Sequence, residues 1–256
     1  MRFTTQAAAA AAVLLAMSGP ALAADAPYNW TGARLGLNGG FNNGTAHSGG
    51  GAFGNLSNGS YWATPDDVAV GASTKRDLQP SGYNAGVEAS YKHQFGNWVP
   101  GVDLGFGSFH NSDSFVATNG YPTNSAVKYT VYSNIETDWL FTLRPKLGYA
   151  WDRFLLEGGA GLAMTKITVE QNFIDTQARV ERATASATKT GWTAGAALNY
   201  ALSDSWSIKG EYLYTAFSGV RATGNLVNNS TVDRARVTQD YNLTVSTFRL
   251  GIDYRF

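Results

Sequence analysis

Three histidines, His47, His93 and His110, are the only imidazoles in this 256-residue chain, and it contains no cysteine. Thiolate nucleophiles, thiolate zinc sites and a disulfide framework are therefore excluded. His110 lies close in sequence to Ser108, Ser112 and Asp113, which supply the residue types of a nucleophile, a base and an orienting acid. Acyl-transfer chemistry also needs an orienting geometry, and nothing in the spacing provides one, so the group reads as a polar approach to a loop. Three scattered histidines make a poor metal set. The run Gly158-Gly159-Ala160-Gly161 lacks the third glycine of a dinucleotide fingerprint and sits inside a strand pattern. No catalytic residue, no cofactor, no cofactor-binding residue and no metal ligand is expected.

The chemistry that remains is charge pairing. If the strands described below close into a barrel, one parity places Arg34, Lys92, Arg144, Lys146, Lys209, Arg249 and Arg255 in the lumen. The same parity brings in Glu88, Asp103, Glu136, Asp138, Glu157, Glu211 and Asp253. Seven charges of each sign point to an interlocked ion-pair network, because charges in a narrow space are costly unless paired. A selectivity ring would instead show one sign. A lumenal plug is the expectation, with a narrow small-solute pore as the alternative.

The elements that position these charges are strands. The final ten residues alternate strictly, with Phe248, Leu250, Ile252, Tyr254 and Phe256 on one face and Arg249, Gly251, Asp253 and Arg255 on the other. The same period of two marks strands over 30–41, 82–95, 98–109, 135–149, 154–168, 190–202 and 206–217, with the apolar parity taken as outward. Eight strands are thus joined by three short turns and four long connections, 42–80, 110–134, 169–189 and 218–241, in strict alternation. An all-β, eight-stranded antiparallel up-and-down transmembrane barrel has this pattern, with long external loops and short periplasmic turns. Phe53, Leu56, Tyr61, Trp62, Phe115, Tyr121 and Phe173 would then be exposed on the loops. Trp30, Trp98, Trp139, Tyr149, Trp206, Tyr254 and Phe256 near the strand ends fit interfacial girdles.

Composition agrees. Glycine is abundant at 29 residues, aromatics reach 13% and charged residues only 15%, against about 25% in a typical soluble domain. The formal net charge is zero, which gives no field to draw in nucleic acid. At the N-terminus, Arg2, an apolar run from Ala7 to Met17 and Ala21-Leu22-Ala23 make a cleavable signal peptide of residues 1–23. Residues 24–256 are left as the barrel domain, exported to the outer membrane.

Several stretches resemble a known family. Asn29-Trp30-Thr31-Gly32, Leu147-Gly148-Tyr149-Ala150-Trp151-Asp152-Arg153, Gly191-Trp192-Thr193-Ala194-Gly195, Lys209-Gly210-Glu211-Tyr212-Leu213-Tyr214 and the last strand look like the small outer-membrane β-barrels. That family includes opacity-type adhesins and the porin-like major surface-antigen barrels of alphaproteobacteria. The resemblance implies an outer-membrane address in a Gram-negative envelope and brings no catalytic signature. It also implies that Phe248, Tyr254 and Phe256 belong to an assembly signal. The partners it implies are outer-membrane lipids and lipopolysaccharide, the barrel-assembly machinery, and a host or surface ligand for the loops.

Overall fold

The computed structural model describes residues 28–54, 60–62, 64–228 and 231–256. The expected signal peptide, 1–23, and Leu56 lie outside the described residues. The elements run β1 (Gly32–Ser48), β2 (Gly51–Phe53), α1 (Asp66–Thr74), β3 (Ser81–Lys92), β4 (Trp98–Gly120) and β5 (Lys128–Trp151). They continue as β6 (Phe154–Asp175), β7 (Val180–Ala201), β8 (Trp206–Asn228) and β9 (Thr231–Arg255). The strands are antiparallel in the order β1-β3-β4-β5-β6-β7-β8-β9. A further ladder from Arg34↔Arg255 to Ser48↔Tyr241 joins β1 to β9 and closes the eight strands into a ring. The three-residue β2 continues along β9 beyond the end of β1.

At the end carrying the tight turns, Gly96 takes φ +59° and Asp152 φ 48°, left-handed values that Gly and Asp tolerate. Around this half of the barrel the outward parity is apolar: Leu37, Leu104, Leu147, Leu162, Tyr212 and Leu250 all have large exposed side chains. A band of this kind faces lipid, and lumenal residues alternate with it.

The strands are much longer than a bilayer needs. β5 has 24 residues, about 80 Å at 3.3 Å per residue and roughly 55 Å tall at a 45° tilt, against an apolar band of about 25 Å. In the upper half the polarity inverts. Outside stand Thr118 and Thr130, hydrogen-bonded at 2.9 Å, and Thr168 and Ser186 at 3.1 Å. Inside, one cluster contains Phe109, Phe115, Ile135, Ile167, Phe217 and Leu243, and a higher one contains Trp62, Tyr121, Tyr129, Phe173, Leu226 and Val237.

In β6 and β9 the inward parity never changes and the sequence simply passes from polar to apolar. In β5 a bulge does part of the work. The pairs Thr137↔Ile167 and Leu140↔Thr165 bracket one extra residue on β5, so inward positions are odd above it and even below. Ile135 is therefore buried, and Glu136 and Asp138 point out, which corrects their expected place in the lumen. A second bulge, between Phe217 and Val220, shifts β8 in the same way.

The segments expected to be loops are largely strand. Outward polar residues there obscure an inward period that the buried Ala183, Ala222, Ala235 and Val237 preserve. What remains of the external connections after β4 and β6 is 121–127 and 176–179. The first connection turns back over the mouth: Trp62 Nε1 donates to Tyr121 Oη at 3.1 Å and Thr123 donates to Asp66 of α1. Trp62, Phe115, Tyr121 and Phe173 are thus buried lumenal residues, not exposed ones, while Phe53 is exposed.

Leu250→Arg places a charge in the lipid-facing band and is expected to cost about 2–4 kcal/mol near the bilayer midplane. Glu136→Arg, on the outer wall above the bulge, is expected to stay within about 0.5 kcal/mol. Urea unfolding in lipid vesicles, followed by the gel shift of folded against boiled protein, measures both, and equal tolerance would show the facing to be wrong.

Candidate functional site

The lower lumen contains the charges. Glu88 enters from β3, Asp103 from β4, Arg144 and Lys146 from β5, Lys209 and Glu211 from β8 and Arg249 from β9, and all are buried. Arg144 Nη1 lies 2.7 Å from Glu211 Oε1, and its Nη2 lies 3.3 Å from Glu88 and 3.7 Å from Asp103. Arg249 Nη2 bridges Glu88 at 3.1 Å and Glu211 at 2.5 Å. Lys146 meets Glu211 at 3.1 Å and also pairs with Asp103, while Lys209 pairs with Glu88 and reaches Asp253 at 4.0 Å. On the other side Lys92 Nζ stands 2.8 Å from Glu157, which also accepts from Asn199 Nδ2 at 2.8 Å.

Five cations (Lys92, Arg144, Lys146, Lys209 and Arg249) thus meet five carboxylates (Glu88, Asp103, Glu157, Glu211 and Asp253). The expected seven of each sign lose two from each side. Glu136 and Asp138 leave through the β5 bulge. Arg34 and Arg255 keep the lumenal parity at the turn end, but among the described residues neither has a carboxylate within 4 Å. Arg34 donates to Ser207 Oγ at 3.2 Å and lies 4.9 Å from the Trp30 ring centroid. Arg255 donates to the Asn29 carbonyl and lies over the Tyr28 ring at 4.9 Å.

Trp30 is fully buried with Tyr28, Val99 and Leu155 in a third cluster that fills the turn end of the lumen, so it is not a girdle residue. It precedes β1, where alternation gives no facing. Trp98 and Tyr149 do form an outward edge-on pair, with centroids 5.5 Å apart.

Glu88, Asp103 and Glu211 bring carboxylate oxygens within 4.8 Å of one another, a spacing that could suit a metal. Arg144, Lys146, Lys209 and Arg249 already neutralise these three, so the donor set does not call for one. Just above this layer a cavity of about 20 Å³ is lined by Asn38, Asn84, Thr142, Thr247 and Arg249, room for about one water.

The Ser-His-Asp possibility dissolves. His110 lies on the outer wall, stacked on Tyr83 with ring centroids 5.5 Å apart, and Ser108 Oγ bonds the backbone of Ala85. Asp113 instead accepts from the Gln79 amide at 2.7 Å. Gly159 and Gly161 are wall positions where a side chain would meet β5; a Cβ on Gly161 would stand 2.0 Å from the Leu143 carbonyl.

With this geometry in view, comparison with known proteins gives consistent matches. Residues 9–256 fit the family described as outer membrane protein beta-barrel domain. The chain is 32% identical over 255 residues to the 31 kDa outer-membrane immunogenic protein of Brucella melitensis, covering 99% of this chain and 95% of that one, and equally to that of Brucella suis. Among solved structures it is similar to Ail, the attachment invasion locus protein of Yersinia pestis, at 16% identity and a TM-score of 0.38, covering 88% of this chain and 99% of that one. It is also similar to OprG of Pseudomonas aeruginosa, at 12% identity and a TM-score of 0.46, covering 90% and 99%. A third is the outer membrane protease OmpT of Escherichia coli, at 11% and 0.41, covering 93% and 99%.

Removing one member of the charged layer leaves its partner buried and unpaired. Lys92→Met is expected to destabilise the barrel by about 3–5 kcal/mol, and adding Glu157→Leu to recover most of the loss, since apolar replacement of a whole buried pair is often neutral. The unfolding midpoints of the single and double variants measure this.

Proposed function

The chain belongs to the outer membrane protein beta-barrel family, and on that premise we propose that it is a closed, non-enzymatic barrel that supports the envelope and presents a surface to the outside. It is an integral outer-membrane protein, and its lower lumen contains a buried ion-pair network. The observation that carries the proposal is the inversion of the wall. Above the lipid band the barrel continues as a tall cylinder with a hydroxyl-rich exterior and an apolar interior. Such a cylinder is a scaffold for contacts, because it presents polar groups on rigid strands. Outer-membrane lipid and lipopolysaccharide would meet its base, and a host or other surface ligand its upper wall. The naming of the Brucella relatives as immunogenic fits a surface of this kind.

Closure supports this reading over a small-solute porin. Three lumenal layers succeed one another: the Trp30 cluster, the ion pairs, and the apolar fill that begins at Phe109 and Leu140. The outward Phe248 and Tyr254 of β9, with the exposed Phe256 that follows it, would serve as the surface that the barrel-assembly machinery reads.

Purified protein in a planar bilayer is expected to give no steady single-channel current. Glu88→Ala with Arg249→Ala is expected to loosen the charged layer and produce intermittent currents, whereas stable channels from the unmodified protein would favour the porin. Phe256→Ala is expected to lower the amount recovered in the outer membrane several-fold while leaving the unfolding midpoint of the folded fraction nearly unchanged. Normal recovery would remove Phe256 from the assembly signal.

A further inference from the structure

We propose that the upper half of the barrel contains a binding site for a small organic ammonium ion, held by Glu181 and reached through the wall between β7 and β8. Along that wall the ladder is interrupted. β7 and β8 pair from Ala201↔Ser207 to Gly191↔Phe217 and again at Val180↔Val227, with no pairing between. The hairpins β6–β7 and β8–β9 remain continuously paired within themselves over this stretch apart from bulges, so the interruption is a seam between two hairpins.

Glu181 stands on the inward face of β7 at the upper end of the seam, only 1% exposed. Its side chain reaches across to the bare backbone of Gly224 on β8: a Cβ there would stand 2.1 Å from Glu181 Oε1. Among the described residues neither carboxylate oxygen has a hydrogen-bond partner. Buried polar groups are nearly always bonded, and an unpaired buried carboxylate is among the costliest exceptions.

Other groups nearby share this condition. Gln171 on β6 is fully buried, opposite Ser133 on β5, and neither of its amide atoms has a hydrogen-bond partner among the described residues. From β9 the Tyr241 hydroxyl comes within reach of Ser133 and Gln239, so these side chains meet across the lumen. They form a polar level between the two apolar clusters. Phe173 is paired directly opposite Glu181, and its ring packs at 5.4 Å from Trp62 and 6.0 Å from Tyr129.

The ligand class follows from this lining. A carboxylate and amide oxygens call for a donor, an aromatic wall favours a cation, and an ammonium supplies three donors and a charge. A divalent metal would want several carboxylates, and one is present. The site is a dead end above the charged layer and is independent of whether the lumen conducts.

Burial pushes the Glu181 carboxyl up to about 8. The charged groups on neighbouring elements leave it alone. Asp175 of β6 accepts from Tyr61 and Tyr121, Arg179 lies 3.8 Å from Asp233, and Arg221 of β8 is exposed opposite Asp240. Glu170, Lys166 and Arg182 occupy the outward parity, and Lys189 lies nine pairs down the seam's edge from Ile174↔Val180, opposite Thr165. An ammonium ion binds the ionised carboxylate, so occupancy must release a proton. Affinity should therefore rise about tenfold per pH unit up to about 8 and level off above it.

Calorimetric titration of the folded full-length barrel with n-butylammonium tests this, with 1-butanol and magnesium as comparisons. Binding of the amine, rising with pH as stated, is expected. Glu181→Gln should weaken it at least tenfold, the worth of a charge-assisted hydrogen bond, and Glu170→Gln on the outer face should leave it unchanged. Gly224→Ala, which displaces the carboxyl without removing it, should weaken binding too and serves if Glu181→Gln fails to fold. No binding of the amine, equal binding of 1-butanol, tighter binding of magnesium, a flat pH profile or undiminished affinity in both variants would overturn the proposal.

Discussion

Everything in this molecule depends on a closed ring of backbone hydrogen bonds. Lipid offers no partner for a peptide group, so the wall must satisfy its own donors and acceptors, and a sheet achieves that by having no edge. The long β1–β9 ladder meets this requirement. Eight strands then set a lumen narrow enough for side chains to fill. Filling it with charge demands pairing, and pairing demands that cations and carboxylates arrive from different strands at one level. Arg144, Glu88, Glu211 and Arg249, from four strands, do so.

The lower half was largely legible in the sequence because two signals coincide there. Period two sorts the faces, and apolar against charged identity tells which face is which. Glu88, Arg144, Glu157, Lys209 and Glu211 could be placed by parity alone. Which cation meets which carboxylate could not, since partners on different strands depend on register. Glu136 and Asp138 failed for a specific reason: a single extra residue in β5 reverses facing, and nothing in the composition near Trp139 announces it.

The upper half was misread as loop because its apolar positions are small and its polar positions numerous. Ala183, Ala185 and Ala187 alternate with Thr184, Ser186 and Thr188, a pattern that hydropathy scarcely separates from a flexible segment. The aromatic residues Trp62, Tyr121 and Phe173 carried the missing signal. Large rings in a segment otherwise rich in Gly, Ser and Asn call for a core to enter, and the structure supplies one inside the cylinder. Asn199 and Trp30 show the converse, with roles set by neighbours remote in sequence.

The inverted upper wall also governs how the exterior can change. Its outward side chains touch water and at most a cross-strand neighbour, as in the Thr118–Thr130 pair, while its inward ones are locked into shared clusters. Successive residues along one strand therefore live under opposite rules. The exterior can be rewritten position by position with small energetic effect, while the interior must change in concert or not at all. A cylinder built this way separates the face it shows from the structure that supports it, so drift in appearance need not be drift in fold.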